Sequence, residues 1–462
     1  MRTPVPSLQL QAQQRPRVLS LIEQYGLNST SFQVLEEGFT YWFSVEPAAC
    51  IAYFDTGSAF VVAGAPVAER RYWPELIKRF ESFAAEQRRR ICFFAVEQGF
   101  VEPGHLAALR VGEQPVWIPA DWVANMPRSV RQQVRRATKQ GVEVTPQPAI
   151  QLGSGSPMRL ACEALIGRWQ AQKAMQPMQF LVRVEPFSHG DHRRYFVAQR
   201  PHRTTGAPEV VGFLAIVPVY ARQGWFFEDL ISTGDAPNGT AESLIDAAMR
   251  QVHSEGATYV TLGLAPLAGS VNFWLRAARR FGRGLYNFVG LHRFKARLHP
   301  NFWEPIYLAY PARQGAVRSL LDVLRAFAPA GLLRFGLHTL WRGPAVVVKI
   351  LAYLLVPWTL MLALMDTHAW FPAPWVHWAW VSFDAALFCG LTQLNRSWNR
   401  RLAQGLIGLI SLDTIVTLSE ALLYPGPAGR TTVLIKGIAV AAPALAAWVL
   451  MAAYRHRLRW QV

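Results

Sequence analysis

Only four cysteines occur in 462 residues, Cys50, Cys92, Cys162 and Cys389, and they are widely scattered. There is no Cys-x-x-Cys and no Cys/His spacing, which argues against a zinc site and against a disulfide framework. Acidic residues are few: 30 Asp and Glu stand against 47 Lys and Arg, for a net charge of +17. That excess calls for an anionic partner, either nucleic acid or an acidic membrane surface. A Lys/Arg bias on the cytoplasmic side of a membrane protein accounts for part of it. No nucleic-acid motif with a sequence code is present. The opening MRTPVPSLQLQAQQRPRV has no apolar run, so no signal peptide is expected.

Long apolar runs are confined to the C-terminal third. Four segments, about 344–365, 374–394, 404–423 and 432–453, each hold roughly the twenty residues that span a hydrocarbon core. Arg396, Arg400 and Arg401 lie between the second and third; Arg455, Arg457 and Arg459 follow the fourth; Arg342 precedes the first. The other two loops carry only Arg430, so both termini and the remaining chain are expected on the cytoplasmic side of a bacterial-type inner membrane, with the bilayer as a partner. Asp384 and Asp413 fall near mid-span, and Glu420 two turns further along. They form either interhelical glue with Thr392, Ser411 or Thr414, or a polar seam that admits a cation or proton. Residues 313–342, with Arg318, Arg325, Arg334 and Arg342 among Leu, Phe and Trp and a break at Pro329, suit an anionic surface; a buried linker helix is the alternative.

Before that stretch the pattern is α/β. After an arm of 1–30, strands are expected in VLEEGFTYWFSV, CIAYFDT, SAFVVAGAPV and ICFFAVE, with a helix over 72–90. GHLAALRVGEQPVWIP is expected to give a short helix and an edge strand. No catalytic group is legible in this first layer. Arg128, Arg131, Arg135 and Lys139 share one face of a helix ended by Gly141, with Arg136 beside them. Such a stripe is either a solvated face or a phosphate contact, and the absence of an interrupting acid favours phosphate. A helix over 158–172 opens the second layer. His189, Asp191 and His192 look like metal ligands, but nothing near them completes a set, so no metal is expected; His192-Arg193-Arg194 is expected to cap a helix or meet phosphate.

Residues 211–267 organise that layer. VGFLAIVPVY and WFFEDLIST form a hairpin, DAPNGT a turn, and Leu244, Ile245, Ala248, Met249 and Val252 the apolar face of a helix ended by Gly256. A strand over 259–264 follows. Strand, strand, turn, helix, strand is the core of an acyltransferase of the GNAT type. In that fold the helix N-terminus, here Asn238, Gly239 and Thr240, attracts anions. DAPNGT is poorer in Arg, Gln and Gly than the usual acetyl-CoA loop, so neither acetyl-CoA nor another cofactor is expected.

VVGFLAIVP, FFEDL, DAPNGTAESLI, LGLAPL, YNFVGLHRFKARLHPNFWEPIYLAYP and the earlier VRQQVRRATKQGV together resemble the C-terminal synthase domain of phosphatidylglycerol lysyltransferases. The resemblance covers most of 31–312. It implies two tandem GNAT-like folds, at 31–150 and 151–312, followed here by the linker at 313–342, four transmembrane helices within 343–456 and a basic tail at 457–462. In that family the membrane helices usually precede the synthase domain. The implied reaction moves an amino acid from aminoacyl-tRNA to a phosphatidylglycerol-type lipid. Asp229 is then the candidate for proton transfer or for gripping the α-amino group. Lys295 and Arg297, expected to alternate on an extended stretch after His292 and Arg293, are the candidates for phosphate and oxyanion contact. Three residues past its acid the family carries an arginine where this chain has Ser232. Two alternatives stay open: acyl transfer from another donor to a lipid or cell-wall precursor, and a non-catalytic protein that binds anionic lipid.

Overall fold

The computed structural model describes residues 8–102, 104–172, 179–202, 205–269, 288–328, 331, 344–364, 374–396, 399–423, 441–451 and 454. The chain divides into two compact units. The first comprises residues 1–173, 177–283 and 287–332, and the second is essentially 333–462.

The first unit is a mixed α/β layer built on one 12-stranded sheet. Its strands are β1 (Thr40–Ser44), β2 (Ala49–Asp55), β3 (Ala59–Ala63), β4 (Arg90–Glu97), β5 (Ala107–Trp117), β6 (Glu143–Gln147), β7 (Arg194–Pro201), β8 (Pro208–Val219), β9 (Gly224–Ser232), β10 (Tyr259–Thr261), β11 (Ala265–Pro266) and β12 (Phe302–Tyr310). They lie in the order β1-β2-β3-β4-β12-β5-β10-β9-β8-β7-β6, with β11 also on β5. The helices are α1 (Leu8–Tyr25), α2 (Trp73–Glu86), α3 (Gln98–Val101), α4 (Pro119–Asn125), α5 (Arg128–Lys139), α6 (Pro157–Ala171), α7 (Thr240–Ser254), α8 (Phe288–Arg297) and α9 (Ala316–Phe327).

One arrangement occurs twice. The antiparallel pair β2/β3 leads through α2 to β4, which lies parallel to β3. The antiparallel pair β8/β9 leads through α7 to β10, which lies parallel to β9. The expected apolar face of α7 is buried. Its C-terminus closes with Gly256 at φ +82°: the Gly256 N–H donates to His253 and the Ala257 N–H to Val252, which satisfies two carbonyls the helix leaves open.

Four expectations need correcting. β5 is no edge strand: β12 and β10 flank it, and its buried Glu113 and Gln114 are paired with Arg110, His292, Ser29 and Glu304. Those pairings remove the cost that would otherwise keep such residues at an edge. The layers do not divide at residue 150, because β6 pairs with β7 while β12 returns between β4 and β5. The strand over 259–264 stops at Thr261, just before Gly263 turns left-handed at φ +67°. Lys295 and Arg297 are helical. Leu291, Phe294, Lys295 and Leu298 recur at helical spacing, so Lys295 turns inward while Arg293 and Arg297 are exposed.

α9 belongs to this unit and is no free surface segment. Its Asp322, 1% exposed, accepts from Arg90 at 2.9 and 2.7 Å and from Ser58 at 3.0 Å. Val317, Leu321 and Leu324 form an exposed outer stripe beside Arg325. Pro329, Arg334 and Arg342 lie outside the described residues.

The second unit contains α10 (Pro344–Leu364), α11 (Pro374–Arg396), α12 (Arg400–Leu423) and α13 (Ala441–Met451). Among the described residues one helix is long and apolar enough to cross a membrane, Arg400–Ser419, with mean hydropathy 1.5. The expectation of four spans is thus supported for one. Packing within the unit uses small or regular residues such as Ala352, Leu391, Ala403 and Leu406, while Leu364, Trp375, Ile415 and Trp448 point outward. Asp384 is buried within electrostatic reach of Asp413, which accepts from Thr417 at 3.1 Å. Thr392 and Thr414 donate to carbonyls of their own helices instead of bridging between helices. Only the helical position of Glu420 is described; Arg430 and residues 455–462 lie outside the described residues.

Candidate active site

The second half opens where β9 parts from β10. The parallel pairing covers only Gly224–Phe226 against Tyr259–Thr261. In the same stretch the register of β9 against β8 shifts: Ala215 faces Asp229, the next residue Ile216 faces Phe227, and Glu228 is the extra, bulged residue. The bulge re-aims two acids inside an otherwise apolar strand.

Asp229 is buried, and its Oδ2 has no hydrogen-bond partner. Burial first, and then the adjacent Glu228, push its carboxyl well above the usual range, against the pull of Arg193. Glu228 accepts from Gln33 at 2.7 Å and pairs with Arg193. The Arg193 guanidinium is fully buried. It also donates to Glu36 at 3.3 Å and to the Ser188 carbonyl at 2.7 Å, and it lies over the Phe32 ring. Glu36 is raised by burial and by Glu228, and its Oε2 is unpartnered. Three carboxyls thus surround one guanidinium. One positive charge balances one carboxylate, and Glu36 and Asp229 hold their protons more tightly than free acids do.

Lys295 holds the other jaw. Its Nζ, buried, donates to the carbonyls of Leu262, Gly263 and Leu264 at 2.8, 2.8 and 3.0 Å. These carbonyls belong to the segment that leaves β10, where the ladder no longer supplies partners. Burial pushes the Lys295 ammonium down to about 7, while three carbonyl acceptors favour its charged form. All three N–H groups are committed, so a direct phosphate contact through Lys295 is not available in this arrangement. His292 accompanies it on α8, 3.0 Å from Glu113 and stacked on Trp303. Arg293 and Arg297 face solvent.

Asn238, Gly239 and Thr240 do open α7, but α5 packs over them. A Cβ on Gly239 would lie 2.0 Å from the Gln133 carbonyl oxygen. Thr240 and Ser243 spend their hydroxyls on the carbonyls of Pro237 and Gly239, and only Asn238 is exposed. Arg128, Arg131, Arg135, Arg136 and Lys139 are all exposed, with no described carboxylate in ion-pair range. Of His192-Arg193-Arg194, His192 bonds the Tyr220 hydroxyl at 2.8 Å, Arg193 is the internal partner just described and Arg194 pairs with Glu255 at 3.5 Å, while His189 reaches the Leu35 carbonyl. Asp229, Lys295 and Arg297 share no hydrogen bond. The structure instead gathers Gln33, Glu36, Arg193 and Glu228 around Asp229, a group that sequence reasoning missed. The one local signal was the Glu228-Asp229 pair in an apolar strand.

The model of the family described as phosphatidylglycerol lysyltransferase, C-terminal, matches residues 19–310. The chain belongs to this family. A phosphatidylglycerol lysyltransferase of Bacillus subtilis is 37% identical over 111 residues, covering 22% of this chain and 13% of that protein. One from Staphylococcus aureus is 23% identical over 329 residues, covering 66% of this chain and 36% of its own length. The chain therefore spans little more than a third, at most, of these curated relatives. Two solved structures share the fold. The C-terminal domain of a putative lysylphosphatidylglycerol synthetase from Agrobacterium fabrum has a TM-score of 0.59 at 20% identity, covering 70% of this chain and 99% of that domain. L-PGS from Bacillus licheniformis has a TM-score of 0.56 at 20% identity, covering 68% and 96%. The matched region of the family model begins in α1 and ends with β12, so it includes Gln33, Glu36, Arg193 and both diverging strands of the site.

Proposed function

We propose that this chain is a membrane-anchored aminoacyltransferase that moves an amino acid from aminoacyl-tRNA to the headgroup of phosphatidylglycerol or a related anionic lipid. The observation that carries this is Asp229: a buried carboxyl with a free oxygen, at the opening between diverging strands, in a chain of this family. The lipid hydroxyl oxygen forms a bond to the aminoacyl carbonyl carbon, the bond from that carbon to the ribose oxygen breaks, and the hydroxyl proton ends on the ribose oxygen. The ester is already activated, so the work is positioning and proton transfer. A carboxyl with a raised pKa suits a proton relay, or an acceptor for the α-amino group of the aminoacyl moiety. Arg193 keeps the acids of the cluster together and supplies a buried guanidinium beside Asp229, in a chain whose residue 232 is serine.

Lys295 acts here by position. It fixes the carbonyl-rich segment past β10 and so holds the opening at its width. The exposed α5 stripe offers its charges to tRNA or headgroup phosphates. The apolar outer stripe of α9 and the helices of the second unit bring the domain to the bilayer, in a multi-pass arrangement with the catalytic unit on the cytoplasmic side. Asp384 and Asp413 provide a polar seam there. The test is lipid analysis of a host expressing the chain: a new, positively charged aminoacyl lipid that disappears with Asp229→Asn is expected. Label transfer from a free amino acid plus synthetase should stop after RNase digestion of the membrane preparation. Extracts identical to those of the empty host would remove the proposal and leave lipid binding without catalysis.

A further inference from the structure

The first half has an opening of its own, and nothing in the proposed transfer reaction uses it. A cavity of about 240 Å³ lies at the ends of β4 and β12, lined by Asn28, Trp73, Glu97, Gly99, Phe100 and Arg222 among others. It is smaller than the pockets that take drug-sized ligands. Its polar groups are nearly all spoken for. Arg222 pairs with Glu97 through Oε2 and donates to Glu304 at 2.8 Å; Glu304 also accepts from Gln114 at 2.8 Å and from the Tyr259 hydroxyl at 3.4 Å. One acceptor is left over. Glu97 Oε1 is buried without a hydrogen-bond partner of normal geometry, the Asn28 amide being the nearest donor that acts on this carboxyl. Two carboxyls, Glu97 and Glu304, share the half-buried Arg222 guanidinium. Trp73 and Phe100, 5.4 Å apart edge to face, give it an aromatic wall. Exposed Arg70 sits at the rim, 5.8 Å from the Trp73 ring.

We propose that this cavity is a binding site for a small molecule bearing a primary ammonium group, which donates to Glu97 Oε1 and lies against Trp73 and Phe100. A buried acceptor with no donor of normal geometry costs free energy until something fills it, and an aromatic face adds attraction for a cation. Arg70 at the rim would accept an anionic group on the same molecule, which fits amino-acid-sized ligands. The site is separate from Asp229 and stands whether or not the chain transfers aminoacyl groups. Ligand and proton compete for one oxygen. Burial pushes the Glu97 carboxyl up to about 7, and the charged and titratable groups facing it are Arg222, Glu304, Tyr259 and Arg70. Affinity should therefore climb from pH 5 to 8.

The test titrates butylammonium chloride into the full chain in detergent, followed by ligand-observed NMR, with 1-butanol and tetramethylammonium as controls. Saturable binding of butylammonium, tighter than either control and rising with pH, is expected. Glu97→Gln should weaken it by about tenfold or more and abolish the pH trend. Gly99→Leu should fill the space: a Cβ there meets only an Arg70 nitrogen, at 3.8 Å, so the fold is retained. Asp229→Asn should bind as the unaltered chain does. Absence of saturable binding, equal binding of 1-butanol, or binding that survives both Glu97→Gln and Gly99→Leu would overturn the proposal.

Discussion

β3 and β4 stay paired over Ala59–Ala63, the whole of β3, whereas β9 leaves β10 after Phe226 and runs on for six residues. The two halves repeat one order of elements and open differently. In the first half the parallel pair is zipped, and its acids, Glu97 at the last position of β4 and Glu304 in β12, lie beyond the paired stretch and share Arg222. In the second half the opening begins inside β9, at a bulge, and the acid beside the bulge is left with a free oxygen. Each half sets one guanidinium against two or more carboxyls, Arg222 half-buried and Arg193 fully buried. Both leave one carboxylate oxygen without a partner, Glu97 Oε1 at the end of β4 and Asp229 Oδ2 inside β9, but Glu97 is ion-paired through its other oxygen and Asp229 is not. The lesson is that a repeated fold is differentiated here by where a strand pair ends, and that this decides which carboxyl is kept paired and which is kept available.

The largest expected effect tests that difference directly. Asp229→Asn should lower aminoacyl-lipid formation by about a hundredfold or more, the scale of losing a positioned acid or base. Melting temperature should hold or rise, because the amide resembles the neutral carboxyl that burial favours. Unchanged turnover in a labelled-amino-acid assay would take Asp229 out of the site.

Next come the glycines at the two ends of α7, Gly239 before it and Gly256 after it. Gly239→Ala combines φ +98° with a Cβ driven against the Gln133 backbone, so α5 or the turn must move. A loss of about 3–4 kcal/mol is expected in denaturant unfolding. Gly256→Ala meets nothing within 4 Å at φ +82° and should cost only about 1 kcal/mol. Equal losses at both positions would show that α5 does not seal the α7 N-terminus.

Lys295→Met keeps the bulk and removes the three donors. Leaving the carbonyls of Leu262, Gly263 and Leu264 unsatisfied should cost about 2–3 kcal/mol and lower activity in step with the loosened opening. Lys295→Arg keeps the charge but needs a wider space, so it should rescue partly at best. If Lys295→Met melts like the unaltered chain and loses only activity, the side chain touches substrate instead of holding the jaw.

These tests also mark what could be read from the chain beforehand. The apolar spacing of α7, Gly256 as its stop and the hairpin before it were legible, because they depend on neighbours within a few residues. So was the basic face of α5, whose cations are exposed with no described carboxylate in ion-pair range. The cluster around Asp229 was not. Glu36 and Arg193 lie 157 positions apart, and only the folded sheet brings them to one bulge. Lys295 was placed on an extended stretch because Phe-Lys-Ala-Arg alternates. Its helical spacing with Leu291 and Leu298 points it inward, and that spacing shows only over a longer window. β12 returning between β4 and β5 could not be foreseen from local pattern, since strand order is a long-range property.

The smallest expected effect concerns pH and separates the halves once more. Glu97 titrates at about 7 in the fold against an ordinary value of 4.5, so between those values the folded chain binds more protons than the unfolded one. Its contribution to stability is fully present below about pH 4.5 and is lost as pH rises through 7. Asp229 and Glu36 are shifted in the same direction, so they add to the same decline. Stability of the full chain should therefore fall on going from pH 5 to about 6.5, with at most about 1.4 kcal/mol per pH unit for each proton released, while above pH 7 the lowered Lys295 ammonium works in the opposite direction. Glu97→Gln should remove one proton's share of that slope while leaving the pH dependence of transfer, which follows Asp229, unchanged. Asp229→Asn should do the reverse to transfer and remove its own share of the slope. Urea unfolding at several pH values, run beside the transfer assay, reads both. If Glu97→Gln moves the pH profile of transfer as Asp229→Asn does, the two openings titrate as one network and the separation of paired from available acids fails.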